Sequence, residues 1–121
     1  MGWKTFEEIE VWQRARVLNR EYWTSASAGA FGRDFALQDQ LNRSLGSIMD
    51  NVAEGFDGGS NKEFAKFITY SQRSSSESIS QIYRAEDRSH LSQDVCERWR
   101  AELLEIHKML GGLIRYLRTK H

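Results

Sequence analysis

Apolar residues recur at spacings of three and four along most of the chain, which indicates helices that each bury one face. The clearest stretch spans residues 37–56, and its apolar positions are Leu37, Leu41, Leu45, Ile48, Met49, Val52 and Phe56. Three glycines between positions 55 and 59 then end this helix. Ser60 and Glu63 form a capping-box pattern before the next apolar run. The pattern predicts an antiparallel helical hairpin.

The same periodicity predicts four long helices. Proline is absent, and Leu, Glu, Arg and Gln are abundant, so long helices can run without interruption. A connector at about 24–33, rich in Ser, Ala and Gly, follows the first helix. Because the later connections are short, we expect an all-α fold, an antiparallel up-down-up-down four-helix bundle in a single domain spanning 1–121. The predicted helices span about 6–23, 35–54, 61–88 and 93–117.

The first predicted helix is apolar on two sides. Its main apolar positions are Val11, Trp12, Ala15, Leu18 and Tyr22. A second side carries Phe6, Ile9 and Val17. A helix that is apolar on two sides must bury both. We therefore expect one side to face the bundle and the other to contact a second copy of the chain.

Small and amide side chains interrupt the apolar pattern on the second and third predicted helices. On the second helix they form a row beside the apolar stripe, made of Gln40, Ser44, Ser47 and Asn51. This row is either a solvated face or a close contact with another helix. On the third helix, Ser71, Ser75 and Ser78 lie within the apolar face. Because serine is a mediocre helix former, we expect this segment to pack closely through its small side chains.

The charge balance and the cysteine content limit the possible partners and compartments. The sequence holds 17 basic and 17 acidic residues, so its formal net charge is zero. Nucleic acid can then be a partner only through a local basic patch. Cys96 is the single cysteine, which excludes an internal disulfide and fits a reducing, cytoplasmic location. No signal-peptide pattern and no run of about 20 apolar residues is present, so no membrane association is expected.

The sequence predicts no catalytic, cofactor-binding or metal-binding residues. Four-helix bundles with di-iron centres carry two E-x-x-H motifs, and the nearest match here is Asp87 with His90 at a helix end. The glycines near position 58 join two helices and lack a suitably placed lysine, so a turn is favoured over a phosphate-binding loop. The protein is therefore not expected to be an enzyme.

Basic residues cluster in two places. On the third predicted helix they lie opposite the core, interrupted by Glu77 and Asp87, and near the C-terminus they include Lys120 and His121. A charged outer face is ordinarily just solvated. The functional alternative is a patch that contacts phosphates of RNA or DNA and that oligomerisation would multiply. The candidate nucleic-acid residues are Lys62, Lys66, Arg73, Arg84, Arg115 and Arg118.

Three motifs resemble one bacterial family. The first, F-x-x-I-x-V-W-Q-x-A, begins at Phe6, and the second, Q-L-x-R-S-x-x-S-I-x-x-N-V-A-E-G, spans residues 40–55. The third is carried by Ser60, Glu63, Phe64 and Phe67, with Ser74 and Glu77 further along. The chain resembles the four-helix-bundle proteins encoded by intervening sequences in 23S rRNA genes, a family that includes the accessory protein of diversity-generating retroelements.

The resemblance implies a four-helix bundle that assembles as a ring-shaped homopentamer, without enzymatic activity and with a nucleic-acid partner. The retroelement relatives are markedly basic, whereas this chain is neutral, and Arg73 replaces a small residue of the family pattern. A protein-binding adaptor or scaffold with no nucleic-acid role is therefore the alternative function. The family-motif residues that we predict at an oligomer interface are Trp12, Gln40, Arg43, Ser44, Ser47, Asn51, Glu54 and Gly55.

Overall fold

Helices make up nearly all of the described chain, which comprises residues 2–27 and 29–119 of the computed structural model. No strand occurs within these residues. A short 3-10 helix at Phe6–Glu8 precedes the first α-helix. The α-helices are α1 (Glu10–Ala26), α2 (Gly29–Arg33), α3 (Phe35–Asp57), α4 (Asn61–Asp87) and α5 (Gln93–Thr119).

The four long helices form an antiparallel bundle, as predicted. α4 packs against α3 on one side and α5 on the other, and α1 closes the bundle by contacting α3 and α5. Hydrogen bonds show the direction of packing, because residue numbers rise on one helix as they fall on its neighbour. The largest fully buried side chains include Trp99, Tyr22, Phe31, Leu41 and Ile68.

The N-terminal segment differs from the prediction. A capping box formed by Thr5 and Glu8 begins the 3-10 helix, and extended backbone at Ile9 separates this helix from α1. Ile9 therefore turns into the core, where it is only 2% exposed. Phe6 packs edge-on against Trp12, with ring centroids 5.2 Å apart. The expectation of a continuous second apolar side is wrong here, and of its three residues Val17 alone stays exposed, at 52%.

The connector predicted at about 24–33 contains helical residues. α1 continues to Ala26, and α2 follows within the segment. Phe31 of α2 is buried against Tyr22 and stacks on His90, with ring centroids 5.0 Å apart. Phe35, by contrast, begins α3 and is 75% exposed.

Polar hydrogen bonds join α3 to α4, and we call this group the serine seam: Ser44, Ser47, Ser71, Ser74, Ser78 and Gln81. Ser78 Oγ donates to Ser44 Oγ (2.8 Å), and Ser44 Oγ donates to Gln81 Oε1 (2.6 Å). Ser71 Oγ donates to the carbonyl of Ile48 (2.7 Å). Ser44, Ser71, Ser78 and Gln81 are buried, and Ser47 and Ser74 are half-buried. The close packing expected of the α4 serines is confirmed: Ser71 and Ser78 bond to α3 of the same chain, and Ser75 lies against His107 of α5.

Candidate nucleic-acid interface

A groove runs between the N-terminal half of α4 and the C-terminal end of α5. It encloses about 1090 Å³. The side chains that line it come from both helices and from the turn before α4, and we call it the α4–α5 groove. Its lining residues are Gly59, Ser60, Asn61, Lys62, Glu63, Ala65, Lys66, Thr69, Tyr70, Arg73, Leu117 and Arg118.

Four of the six candidate nucleic-acid residues meet in this groove. Lys62, Lys66 and Arg73 follow one another along α4, and Arg118 approaches from α5. One helical turn, about 6 Å, separates Lys62 from Lys66, and about 10 Å separates Lys66 from Arg73. All four side chains are exposed. The antiparallel packing of α4 and α5 therefore brings cations that are distant in sequence to one surface.

Among the described residues that line the groove, Glu63 supplies the one carboxylate. The Oε1 atom of Glu63 lies 3.2 Å from the Nζ atom of Lys66, one turn along α4. The pair is largely solvent-exposed, so its contribution to stability is at most about 1 kcal/mol. The groove therefore keeps a surplus of positive charge although the chain as a whole is neutral.

The groove also has an apolar floor and an aromatic side chain. Ala65 and Leu117 are buried beneath it. The Tyr70 ring is 40% exposed and contacts Phe67 edge-on, with centroids 5.7 Å apart. Lys66 Nζ lies 5.5 Å from the centroid of the Phe67 ring. Sequence reasoning missed Tyr70, although an aromatic residue one turn after a lysine on the same helix face was a readable signal.

Two candidates lie outside the groove. Arg84 lies about 16 Å further along α4 than Arg73, and its Nη1 atom donates to Gln40 Oε1 on α3 at 2.9 Å. Arg115 is exposed beside Gly111 and Gly112 of its own helix. The six candidate residues therefore do not form one continuous patch. Lys120 and His121 lie outside the described residues.

Of the family-motif residues predicted at an oligomer interface, Trp12 lies on α1 and the other seven lie on α3. The seam hydroxyls of Ser44 and Ser47 bond to α4 of the same chain, so this row does not require a second copy to satisfy it. Asn51 Nδ2 donates to the carbonyl and the hydroxyl of Ser47, each at 2.8 Å. A shallow polar cavity of about 530 Å³ on the outer side of α3 is lined by Asn19, Asn42, Arg43, Gly46, Ser47, Asp50, Asn51 and Glu54. The role of the family-motif residues at an oligomer interface stays a prediction.

Other side chains of catalytic type are engaged in packing. Ser75 Oγ lies 2.9 Å from His107 Nδ1 at the α4–α5 contact. Cys96 is fully buried, and burial raises the pKa of its thiol. Within residues 2–27 and 29–119, no three His, Cys, Asp or Glu side chains are grouped to hold a metal ion. None of the described helices combines the length and the apolar character needed to cross a bilayer.

These features define a small antiparallel four-helix bundle with a basic, apolar-floored groove at one end. A sequence model of the family described as 23S rRNA-intervening sequence protein matches residues 7–112. The chain belongs to this family, as the motifs in its sequence predicted.

The structure is similar to the 1.70 Å crystal structure of a protein of unknown function from the S23 ribosomal protein family of Bacteroides thetaiotaomicron. The TM-score is 0.79, with 17% sequence identity, and the match covers 87% of this chain and 95% of the other. Similarity at this identity concerns the fold, and it agrees with the predicted bundle. No curated protein sequence matches the chain.

Proposed function

We propose that this protein is a non-enzymatic, homopentameric bundle that binds RNA or DNA through the α4–α5 groove in the cytoplasm. The convergence of Lys62, Lys66, Arg73 and Arg118 on that groove carries the proposal. Lysine and arginine side chains bind nucleic acid chiefly through its phosphates, releasing condensed counterions. A local cluster of four cations provides this interaction without a net positive charge on the whole chain.

Oligomerisation is proposed from exposed apolar side chains that one bundle does not cover. Val17 on α1 is 52% exposed and Leu104 on α5 is 49% exposed. Trp23 and Phe35, near the connector, are also exposed. Zero net charge does little to oppose association. In a closed ring each copy would add one groove, so that several weak phosphate contacts act together on one nucleic acid.

Charge reversal tests the nucleic-acid proposal. Binding of a fluorescently labelled, structured RNA is measured by anisotropy between 50 and 300 mM salt. We expect wild-type affinity to fall steeply with salt, and the double variant Lys66→Glu/Arg73→Glu to lose binding. The matched control is Arg20→Glu/Lys108→Glu, which changes the net charge equally at exposed sites outside the groove and should still bind.

Two results would contradict the nucleic-acid proposal. One is the absence of binding by the wild type even at low salt, which would favour the protein-binding adaptor. The other is equal loss of affinity in both double variants, since overall charge rather than the groove would then be responsible.

Sedimentation velocity tests the assembly. We expect the wild type to form an oligomer at micromolar concentration, and Val17→Asp to shift the population towards monomer while the helical circular dichroism signal is retained. Ser25→Asp, at another exposed position of α1, should leave the assembly unchanged. A wild type that stays monomeric at about 100 µM would overturn this part of the proposal.

A further inference from the structure

The exposed ring of Tyr70 lies between two cationic side chains along α4. Lys66 lies one turn before it on α4, and Arg73 lies three residues after it, so all three side chains share one helix face. These offsets correspond to about 6 Å and about 4.5 Å along the helix axis. The ring is thus flanked on both sides by groups that bind phosphate.

The Tyr70 ring is held in one orientation by a neighbouring ring, and no guanidinium group of the described residues stacks on its face. The edge-on contact with Phe67, at an interplanar angle of 83°, fixes its direction. Tyr83, the other strongly exposed tyrosine of α4, differs because the guanidinium carbon of Arg100 lies 4.0 Å from its ring centroid. Arg100 lies on α5 and also forms an ion pair with Glu86 of α4. Tyr83 is therefore engaged within the bundle, whereas Tyr70 faces the groove.

The shape of the groove distinguishes between forms of nucleic acid. Its floor is apolar and concave, and its volume of about 1090 Å³ is large enough for small organic groups such as nucleobases. A duplex presents phosphates on a convex surface and keeps its bases stacked inside, so it can reach the cations but cannot fill the floor. A single strand exposes bases that stack on aromatic side chains while its phosphates contact lysine and arginine.

We propose that the α4–α5 groove binds unpaired nucleotides, with one base stacked on Tyr70 and the adjoining phosphates on Lys66 and Arg73. This inference rests on the proposed nucleic-acid function and adds the form of nucleic acid and a specific contact to it. Glu63 lies beside Lys66 and competes with phosphate for its ammonium group. Glu63→Gln should therefore tighten the binding of a single strand.

The test compares a labelled 12-nucleotide single strand of mixed sequence with the duplex of the same sequence, by anisotropy at 50 mM salt. We expect the wild type to bind the single strand at least 10-fold more tightly. Tyr70→Ala should weaken single-strand binding by roughly 5- to 150-fold, the range that loss of one stacked base produces. It should change duplex binding by less than about twofold.

Two further tyrosine variants separate stacking from structural effects. Tyr70→Phe keeps the ring and should bind the single strand within about twofold of wild type. Tyr83→Ala removes an exposed tyrosine outside the groove and should also bind normally. The circular dichroism spectrum and the unfolding midpoint of Tyr70→Ala verify that this variant is folded.

The outcomes distinguish this inference from the proposed function. Equal affinity for single strand and duplex, or full single-strand binding by Tyr70→Ala, would overturn the stacking inference and leave the nucleic-acid function standing. Failure of both probes to bind would remove the function and the inference together. Binding of polyglutamate as tightly as the single strand would also overturn the inference, since charge alone would explain it.

Discussion

Gly55 of α3 packs directly against Phe67 of α4: a Cβ atom added to Gly55 would lie 2.7 Å from the Cβ of Phe67. It would also lie 3.0 Å from a ring carbon of Phe64. Both neighbours are held on α4, whose N-terminus is capped by Ser60. The two helices of the hairpin therefore approach each other closely because position 55 has no side chain.

Gly55→Ala should destabilise the protein by about 1–3 kcal/mol, because the added methyl forces α3 and α4 apart. Gly46→Ala, on the same helix, is the matched control. A Cβ at Gly46 meets no atom within 4 Å, and alanine is the better helix former, so this change should stabilise by about 0.5–1 kcal/mol. Urea unfolding followed by circular dichroism measures both. Equal effects of the two substitutions would contradict the steric explanation.

Ser89→Gly should stabilise the protein by about 0.5–1 kcal/mol. Ser89 follows the end of α4 with a φ of 58°, a left-handed conformation that costs a residue with a side chain more than glycine. The turn is a Schellman motif, since the His90 amide donates to the Ala85 carbonyl and the Ser89 amide donates to the Glu86 carbonyl. Ser80→Gly, inside α4, should instead destabilise. Thermal unfolding of both variants checks the opposite signs.

Ser44→Ala should cost about 1–3 kcal/mol, because it leaves the buried Gln81 carbonyl oxygen without its hydroxyl donor. The double variant Ser44→Ala/Gln81→Leu removes both polar partners. Its destabilisation should be smaller than the sum of the two single effects by about 0.5 kcal/mol or more. Unfolding free energies of the four proteins form the cycle. Simple additivity would show that the two side chains do not interact.

Acid should destabilise the protein partly through Asp34. Hydrogen bonds from His90 and Arg88 lower the pKa of this carboxyl from 3.8 to about 2. The folded state thus binds the proton more weakly than the unfolded state, so the stabilisation is complete above about pH 4 and is lost as the pH falls towards about 2.

Asp34→Asn isolates this effect, because asparagine can still cap α3 but carries no charge. The stability difference between wild type and variant should shrink as the pH falls through this range, measured by urea unfolding at each pH. A difference that stays constant would exclude Asp34 as a source of the acid sensitivity.

The three later helices were predictable because their signals are local. Each has apolar residues at helical spacing, α3 and α4 begin at the N-caps Asp34 and Ser60, and the predicted limits lie within three residues of α3, α4 and α5. The break at Ile9 was not predictable, since a capping box at Thr5 and Glu8 begins a 3-10 helix as readily as an α-helix. The burial of Ile9 therefore depends on tertiary packing that periodicity does not report.

The groove was predictable in part for the same reason. Helical spacing places Lys62, Lys66 and Arg73 on one face, and the structure brings them together. The addition of Arg118 depends on the register between α4 and α5, which no local pattern gives. Arg84 shares the helical face but lies too far along the axis, so face alone was an insufficient criterion.

The serine seam has a consequence for how the α3–α4 hairpin can be aligned. Leucine contacts tolerate small axial displacements, but hydroxyl bonds are short and directional. A displacement of α4 along α3 by one turn, about 5.4 Å, would separate Ser78 from Ser44. It would also leave the buried Gln81 side chain without its hydrogen-bond partner. The buried hydroxyls therefore favour one axial register of α3 against α4. The surface residues of the two helices then keep the same relative positions in every molecule, as identical contacts between copies would require.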